Sequence, residues 1–513
     1  MLKKLSANFP FILLILGYVL YLVLLIYRSS FLISGERHFV LVDDMMISMK
    51  YAKNLALGNG LVWNIGERVE GITNPLWTSY MSFWHLFNIS ASKISIAIQL
   101  TNVFLLVLSL FVVKKIAEVV SKKSLLVIIF SVILTASFFQ INNFALLGTE
   151  VAALSLILFT SIMLSLFSLK KKTVNPLIYL ILALGTFVRM DAAVPYLAIL
   201  LFFLIYEKKK RILHLKWGFG VLLTALLVQT GLRLYYYGEI LPNTYYLKMT
   251  GYPVVFRITR GVYELLEYMW QTGIILFVLP LILLKKSSRE IALLFFVFFS
   301  LVLYSIYVGG DAFEDPGRYI TVGMPIFFIL FSLGSKKILY AIFPQNSKFK
   351  IIAAIYLLTC VVMFNSTTYD TFLESTLIKK PSYVGSAKLN VEMAYEISKL
   401  TGRDAVVAVT FAGTIPYFTE RKYIDLLGKS DKHIAREESK EPYGSKKDMP
   451  EVIRFFPGHT KWDNNYAIKQ LKPDVVVSPP DIESMREYLN NNYENIQVGY
   501  GTIYLKKGYK KNH

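Results

Sequence analysis

Residues 177–206 read LIYLILALGTFVRMDAAVPYLAILLFFLIY. A membrane-spanning helix needs about 20 apolar residues. This block is longer, and Arg189, Asp191 and Pro195 interrupt it near the middle. It is either one tilted helix or a hairpin of two short ones, and its flanks decide between them. A basic run at 170–172 precedes it and another at 208–211 follows it. Short loops rich in Lys and Arg stay on the cytoplasmic side of a membrane. Two cytoplasmic flanks require two crossings, so the block is expected to be a hairpin with Arg189 and Asp191 near the outer surface.

The same rule orders the rest of the chain. Further apolar blocks run at 8–27, 94–113, 124–140, 145–168, 213–235, 271–284, 291–308, 318–334 and 351–365. Basic turns at Lys3 and Lys4, 114–123, 285–289 and 336–350 fall between them. The expected fold class is a polytopic α-helical membrane protein of about eleven transmembrane helices. Its N-terminus is expected in the cytoplasm. The first block is read as a span rather than a signal peptide, because no small-residue cleavage site follows it. The opposite loops form one set: 28–93, 141–144, the turn at 189–191, 236–270, 309–317 and everything beyond 365. Two domains are expected, a transmembrane module at 1–365 with its long first outer loop at 28–93, and a soluble outer α/β domain at 366–513.

Composition supports this reading. Hydrophobic residues make up 55% of the 513, and the formal net charge is +20. The cations concentrate in the short loops, as membrane topology requires, so the charge does not indicate nucleic acid. The one cysteine, Cys360, lies in an apolar block, which excludes a disulfide framework or a cysteine-based metal site.

The outer loops hold the unusual polar chemistry. In the first, a helix is expected to start at Asp43-Asp44, where an Asp caps free backbone N–H groups. Gly58-Asn59-Gly60 ends it. A stretch dense in Gly, Asn, charge and Trp63 follows, then a second helix at about 76–88 on the membrane surface. In the tail, 405–410, 422–427 and 473–478 read as strands, and 497–506 reads as a terminal hairpin.

Asp43-Asp44, Trp63-Asn64 and the run from Gly66 to Asn74 resemble the GT-C superfamily of multispanning glycosyltransferases that use polyprenyl-phosphate sugars. The likeness continues through Gly148-Thr149-Glu150, Arg189-Met190-Asp191, Leu241 to Lys248, Gly309-Gly310-Asp311, Arg318-Tyr319, Asp425-Leu426-Leu427-Gly428 and Pro457 to Asp463. It is nearest to the branch of mycobacterial terminal arabinofuranosyltransferases and related bacterial membrane proteins. Met190 stands where that pattern more often has Pro. The resemblance implies a bacterial inner-membrane enzyme with its active site and C-terminal domain outside the cytoplasm. It implies a polyprenyl-phosphate-linked sugar donor and a glycan, lipid or protein acceptor. It also carries a catalytic role to Asp43 or Asp44, with Asp44 preferred.

The chemistry asks for the same parts. Inverting transfer needs a base to take the acceptor proton as its hydroxyl attacks the anomeric carbon. The lipid-phosphate leaving group needs cationic or N–H donors. Candidates for phosphate or substrate binding are Arg68, Glu70, Arg189, Lys248, Asp311, Arg318, His459 and Lys461. Arg189 could instead only pair with Asp191, and Glu150 could be either its partner or an acceptor contact. Trp63 and Asn74 are candidate sugar or acceptor contacts. No metal site is expected, although Asp43 and Asp44 with Glu70 or Glu150 offer oxygens suited to a divalent cation. The competing function is transport or flipping of a lipid-linked sugar, which would place charge at the membrane midplane and show inverted repeats.

Overall fold

The computed structural model describes residues 2–310, 317–343, 347–440, 450, 453 and 456–511. Asp311 lies outside them. The chain forms two compact units. The first comprises Met1–Ser29, Gln99–Leu226 and Gly261–Lys380; the second comprises Ser30–Ile98, Leu227–Arg260 and Pro381–His513. The long first loop and the tail therefore belong to one unit, joined by a middle segment.

Among the described residues, six helices are long and apolar enough to cross a membrane: Phe9–Ser29, Ser95–Val120, Val151–Lys171, Lys208–Tyr237, Arg289–Val308 and Arg318–Ile342. Three bent helix pairs bring the number to nine if each is one span. The difference from about eleven lies in the 177–206 block. Its helices, Leu177–Val188 and Ala193–Tyr206, have 12 and 14 residues, and each is shorter than a hydrocarbon layer of about 30 Å.

That block reverses direction as its flanks required. Lys210 Nζ donates to the backbone oxygen of Lys172, and Glu207 pairs with Arg289, so the start and end of the block meet. At its middle, Arg189 bonds Glu150 at 2.7 Å. Glu150 and Lys172 cap opposite ends of the helix Val151–Lys171, which is about 30 Å long. The chain thus runs the length of that helix and returns. Lys114 over the Phe11 ring, 4.1 Å away, joins another basic turn to the N-terminal helix.

Polar side chains inside this unit serve a break in the backbone. Leu125–Ser137 and Phe139–Leu146 meet at 44°. The N–H of Phe139 donates to Asn365 Oδ1. Asn142 donates to the oxygen of Ala136 and accepts from the Tyr18 hydroxyl at 2.6 Å. Gln99 and Asn102 donate to the oxygens of Leu146 and Ala145. In an apolar medium a broken helix persists only when its freed groups are satisfied in this way.

The second unit has two sheets. A short hairpin pairs β1 (Phe31–Ile33) with β2 (Glu36–His38). The main sheet has β3 (Val406–Val409), β4 (Lys422–Asp425), β5 (Val475–Val477), β6 (Tyr493–Val498) and β7 (Gly501–Lys506) in the order β4-β3-β5-β7-β6. β3 is parallel to β4 and β5, and β7 is antiparallel to its neighbours. Both faces are covered, which is why β3 and β5 are almost unbroken Val and Ala. On one face Val407, Val409, Val475 and Val477 pack with Ile47, Tyr51 and Trp63 of the first loop and with Met393 and Ile397. On the other, Ala408 and Val476 meet Ile468, Met485 and Leu489. The first loop completes this core, so it is not a flexible surface appendage.

Candidate active site

The helix Asp43–Ala56 begins at the acidic pair, but the expected capping does not occur. Its N-cap is Val42, and no side chain caps it. Asp43 reaches instead to another segment, where its two oxygens accept from the N–H groups of Gly413 (3.1 Å) and Thr414 (2.8 Å). It thereby serves the start of the short helix Thr414–Phe418. Asp43 was read as capping its own helix because only local partners are visible in sequence; the tail competes successfully for its carboxylate. The approach is so close that a Cβ on Gly413 would run into the Asp43 backbone oxygen. Desolvation raises the Asp43 pKa, against the Thr414 N–H and Lys429, which lower it.

Asp44 faces Lys429, whose Nζ donates to Asp44 Oδ1. Its side chain stays 22% exposed, against 12% for Lys429. Lys429 is delivered by a tight turn. The Asp425 carboxylate accepts from the N–H groups of Leu427, Gly428 and Ser430 at 3.0, 3.1 and 2.7 Å. Gly428 takes φ +76°, a conformation open to glycine. Asn243 Nδ2 holds the same turn from outside through the oxygens of Gly428, Lys429 and Asp431. Burial raises the Asp425 pKa to about 6. Burial also pulls Lys429 down, but Asp44, Asp43 and Asp425 outweigh it and leave Lys429 above its ordinary value.

His459 lies in the field of Lys429, Asp44 and Lys248. Burial and the two lysines push its pKa down to about 4, so at neutral pH it is an uncharged imidazole. The aliphatic chain of Lys248 runs beside Gly458. Lys461 Nζ donates to the oxygens of Tyr246 and Ala435, both at 2.9 Å, and to Thr250 Oγ1 at 3.2 Å. These three bonds use all the hydrogens of its ammonium group.

Other candidates are built into the walls. Glu70 takes Arg233 through two bonds, of 2.5 and 3.3 Å. Arg68 lies over the Tyr236 ring at 4.8 Å. Trp63 is 3% exposed and donates Nε1–H to the oxygen of Ala412. Asn74 accepts from Ser48 and Thr78.

The first unit holds a separate cluster. Arg189 bonds Glu150 at 2.7 Å and Asp191 at 2.8 Å, and its guanidinium lies 5.0 Å from the Tyr319 ring. Together with Arg318 and Tyr304 these groups line a small pocket of about 50 Å³, whose walls also include Leu154, Leu182 and Leu301.

Sequence reasoning missed Lys429, Arg233, Arg257 and Arg260. Lys429 directly follows the Asp425-Leu426-Leu427-Gly428 motif, and that adjacency was its only signal. Arg257 and Arg260 are 3% and 2% exposed and lie three residues apart on one helix face, and the Arg260 guanidinium lies 4.6 Å from the ring of Phe456, three residues before His459.

A helical unit with a C-terminal sheet domain of this kind is a GT-C-like fold. The chain is similar along its whole length to ArnT from Cupriavidus metallidurans, crystallised bound to undecaprenyl phosphate. The TM-score is 0.61 at 13% identity, covering 98% of this chain and 99% of that one. The apo state of the same protein gives 0.58 at 14% identity, covering 97% and 98%. The oligosaccharyltransferase of Archaeoglobus fulgidus, tethered with an acceptor peptide containing the NVT sequon, gives 0.54 at 11% identity, covering 99% and 75%. These likenesses concern the fold. Residues 381–510 match a family model described as a domain of unknown function (DUF8728). No curated protein matches the chain.

Proposed function

We propose that this protein is an inner-membrane glycosyltransferase, which moves a sugar from a polyprenyl-phosphate carrier to a glycan, lipid or protein acceptor outside the cytoplasm. Two kinds of support converge. The fold is similar throughout to a protein crystallised with undecaprenyl phosphate and to an oligosaccharyltransferase tethered with an acceptor peptide. The observation that carries the reading is the division of labour in the acidic pair. Asp43 spends both oxygens on backbone N–H groups. Asp44 keeps a partly exposed carboxylate against Lys429.

In this mechanism Asp44 accepts the proton of the acceptor hydroxyl as its oxygen attacks the anomeric carbon. The bond from that carbon to the phosphate oxygen breaks, the carrier phosphate leaves with the electron pair, and configuration inverts. Lys429 orients Asp44. Lys248, with Arg257 and Arg260, supplies cationic charge for the leaving phosphate. Uncharged His459 offers a hydrogen-bonding group without adding to that charge. Arg233 with Glu70 and Lys461 with Ala435 act as braces. The six long helices, the three bent pairs and the two short helices around Arg189 make up the eleven crossings, with the basic turns in the cytoplasm.

The test is reconstitution of the purified protein with a panel of polyprenyl-phosphate sugars and a cell-envelope acceptor fraction. Radiolabelled sugar should appear on acceptor. Inclusion of a pentofuranose donor tests the narrower resemblance to arabinofuranosyltransferases. Movement of lipid-linked sugar across the bilayer, with no transfer from any donor, would replace this reading with transport.

A further inference from the structure

A second polar cluster in the same unit has no part in the chemistry above. His433 and Glu437 lie four residues apart on one turn, and Asp463 comes from the start of the following segment. His433 Nε2 is 3.1 Å from Asp463 Oδ2 and 3.4 Å from Glu437 Oε1. One ligating atom from each residue lies within 4.8 Å of the others. We infer that His433, Glu437 and Asp463 form a binding site for one divalent transition-metal ion of the zinc type, with solvent completing its coordination.

Geometry supports the inference first. Zinc binds His nitrogen and carboxylate oxygen at about 2.0–2.2 Å. In a tetrahedron such bonds place neighbouring ligand atoms about 3.3–3.5 Å apart. The two contacts of His433 Nε2 are close to that separation. The remaining separation, Glu437 to Asp463, lies within 4.8 Å and must shorten, and the Glu437 side chain is partly exposed.

Orientation supports it next. Metal ligands are usually fixed by bonds to their non-ligating atoms. Asp463 Oδ1 accepts from the Tyr466 N–H at 3.0 Å, which leaves Oδ2 directed at His433. The Tyr466 ring lies on the His433 imidazole, with centroids 4.0 Å apart, and fixes its plane. Tyr466 belongs to a π-helical segment, Asn465–Gln470, a distortion found frequently at functional sites.

The charge pattern agrees. Among the described residues, His433 Nε2 lies within 3.4 Å of both carboxylates. The neighbouring cations Lys432 and Arg436 are engaged with Glu239 instead.

An ion here would clip the 433–437 turn to Asp463. The segment between them carries His459 and Lys461, and Lys461 itself bonds Ala435. The metal would therefore act as a structural brace. This role is independent of whether the protein transfers sugar.

The test uses the full-length protein in detergent, tag-free and stripped with chelator. It is titrated with Zn²⁺ against a chromophoric competitor, and in parallel with Co²⁺ to read visible ligand-field bands. Wild type should bind one equivalent, show the cobalt bands and gain thermal stability with zinc. His433→Ala and Asp463→Asn should each weaken zinc binding roughly 100-fold or more and lose the bands. Glu494→Gln, on β6, should behave as wild type. Circular dichroism confirms that the variants fold, and Asp463→Asn, nearly isosteric, serves if His433→Ala does not. Zinc bound no more tightly by wild type than by Asp463→Asn would overturn the site and leave His433 as an ordinary hydrogen-bonded histidine.

Discussion

Arg189 in the first unit stands between two carboxylates, Glu150 and Asp191, both within 2.8 Å, and under the Tyr319 ring. Among the described residues, Lys429 in the second unit meets Asp44 alone in a direct ion pair, while nearby Asp43 and Asp425 are satisfied by backbone N–H groups. The Arg189 cluster balances its charge with charge. Glu150 is 1% exposed, and loss of either partner strands an ion. The Lys429 cluster uses the backbone to satisfy two of its three acids and leaves the third partly open. The first arrangement suits architecture, and the second suits a proton acceptor, whose carboxylate must be ionised, oriented and reachable.

This contrast can be broken by substitution. The largest effect is expected from Asp44→Asn, which keeps the shape and removes the base. Transfer should fall by about 10³-fold, with a smaller loss of thermal stability, because the Asn side-chain oxygen can still accept from Lys429. Arg189→Met should do the reverse. It should cost about 3–5 kcal/mol of stability, read as loss of folded protein on size exclusion and in thermal unfolding. Gly413→Ala tests the backbone clamp on Asp43. Because its Cβ would meet the Asp43 backbone oxygen, the two segments must part, at an expected cost of about 2–3 kcal/mol. Lys429→Met should lower the rate about 10–100-fold, because Asp44 loses the partner that orients it.

A further effect concerns pH and stability. His459 has a folded-state pKa of about 4, below the ordinary value near 6.5. Its contribution is present above pH 6.5 and is lost as pH falls toward 4. Asp425, raised to about 6 from 3.8, acts oppositely. Its contribution is present below pH 3.8 and is lost as pH rises through 6. The two oppose each other between pH 4 and 6. His459→Gln removes one side, so relative to wild type the variant should gain up to about 3 kcal/mol as pH falls from 7 to 4. Thermal unfolding at both pH values measures it.

Much of the first unit could be read in the sequence, because membrane topology is encoded locally. The basic runs flanking 177–206 required a reversal, and the contacts from Lys210 to Lys172 and from Arg189 to Glu150 show it. The helix at 43–56, the strands at 406–409, 422–425 and 475–477, and the terminal hairpin were equally legible from local patterning. Partners were not. Lys429 lies 385 positions from Asp44, and Arg233 lies 163 from Glu70. Neither pairing has a periodic or compositional trace. Asp43 was misread for the same reason: a carboxylate at a helix start has an obvious local use, and only the fold reveals a distant competitor 370 positions away. Trp63 and Asn74 were candidate sugar or acceptor contacts; their burial was not legible, since the sheet of the tail covers Trp63 and α-helical neighbours enclose Asn74.

The most direct measurement compares Asp43→Asn and Asp44→Asn side by side in single-turnover sugar transfer, with binding of the polyprenyl-phosphate donor followed separately. Asp44→Asn should bind donor, fold normally and fail to transfer, whereas Asp43→Asn should lose stability first and retain transfer in the fraction that remains folded. Full transfer by a folded Asp44→Asn protein would contradict the assignment of Asp44 as the base.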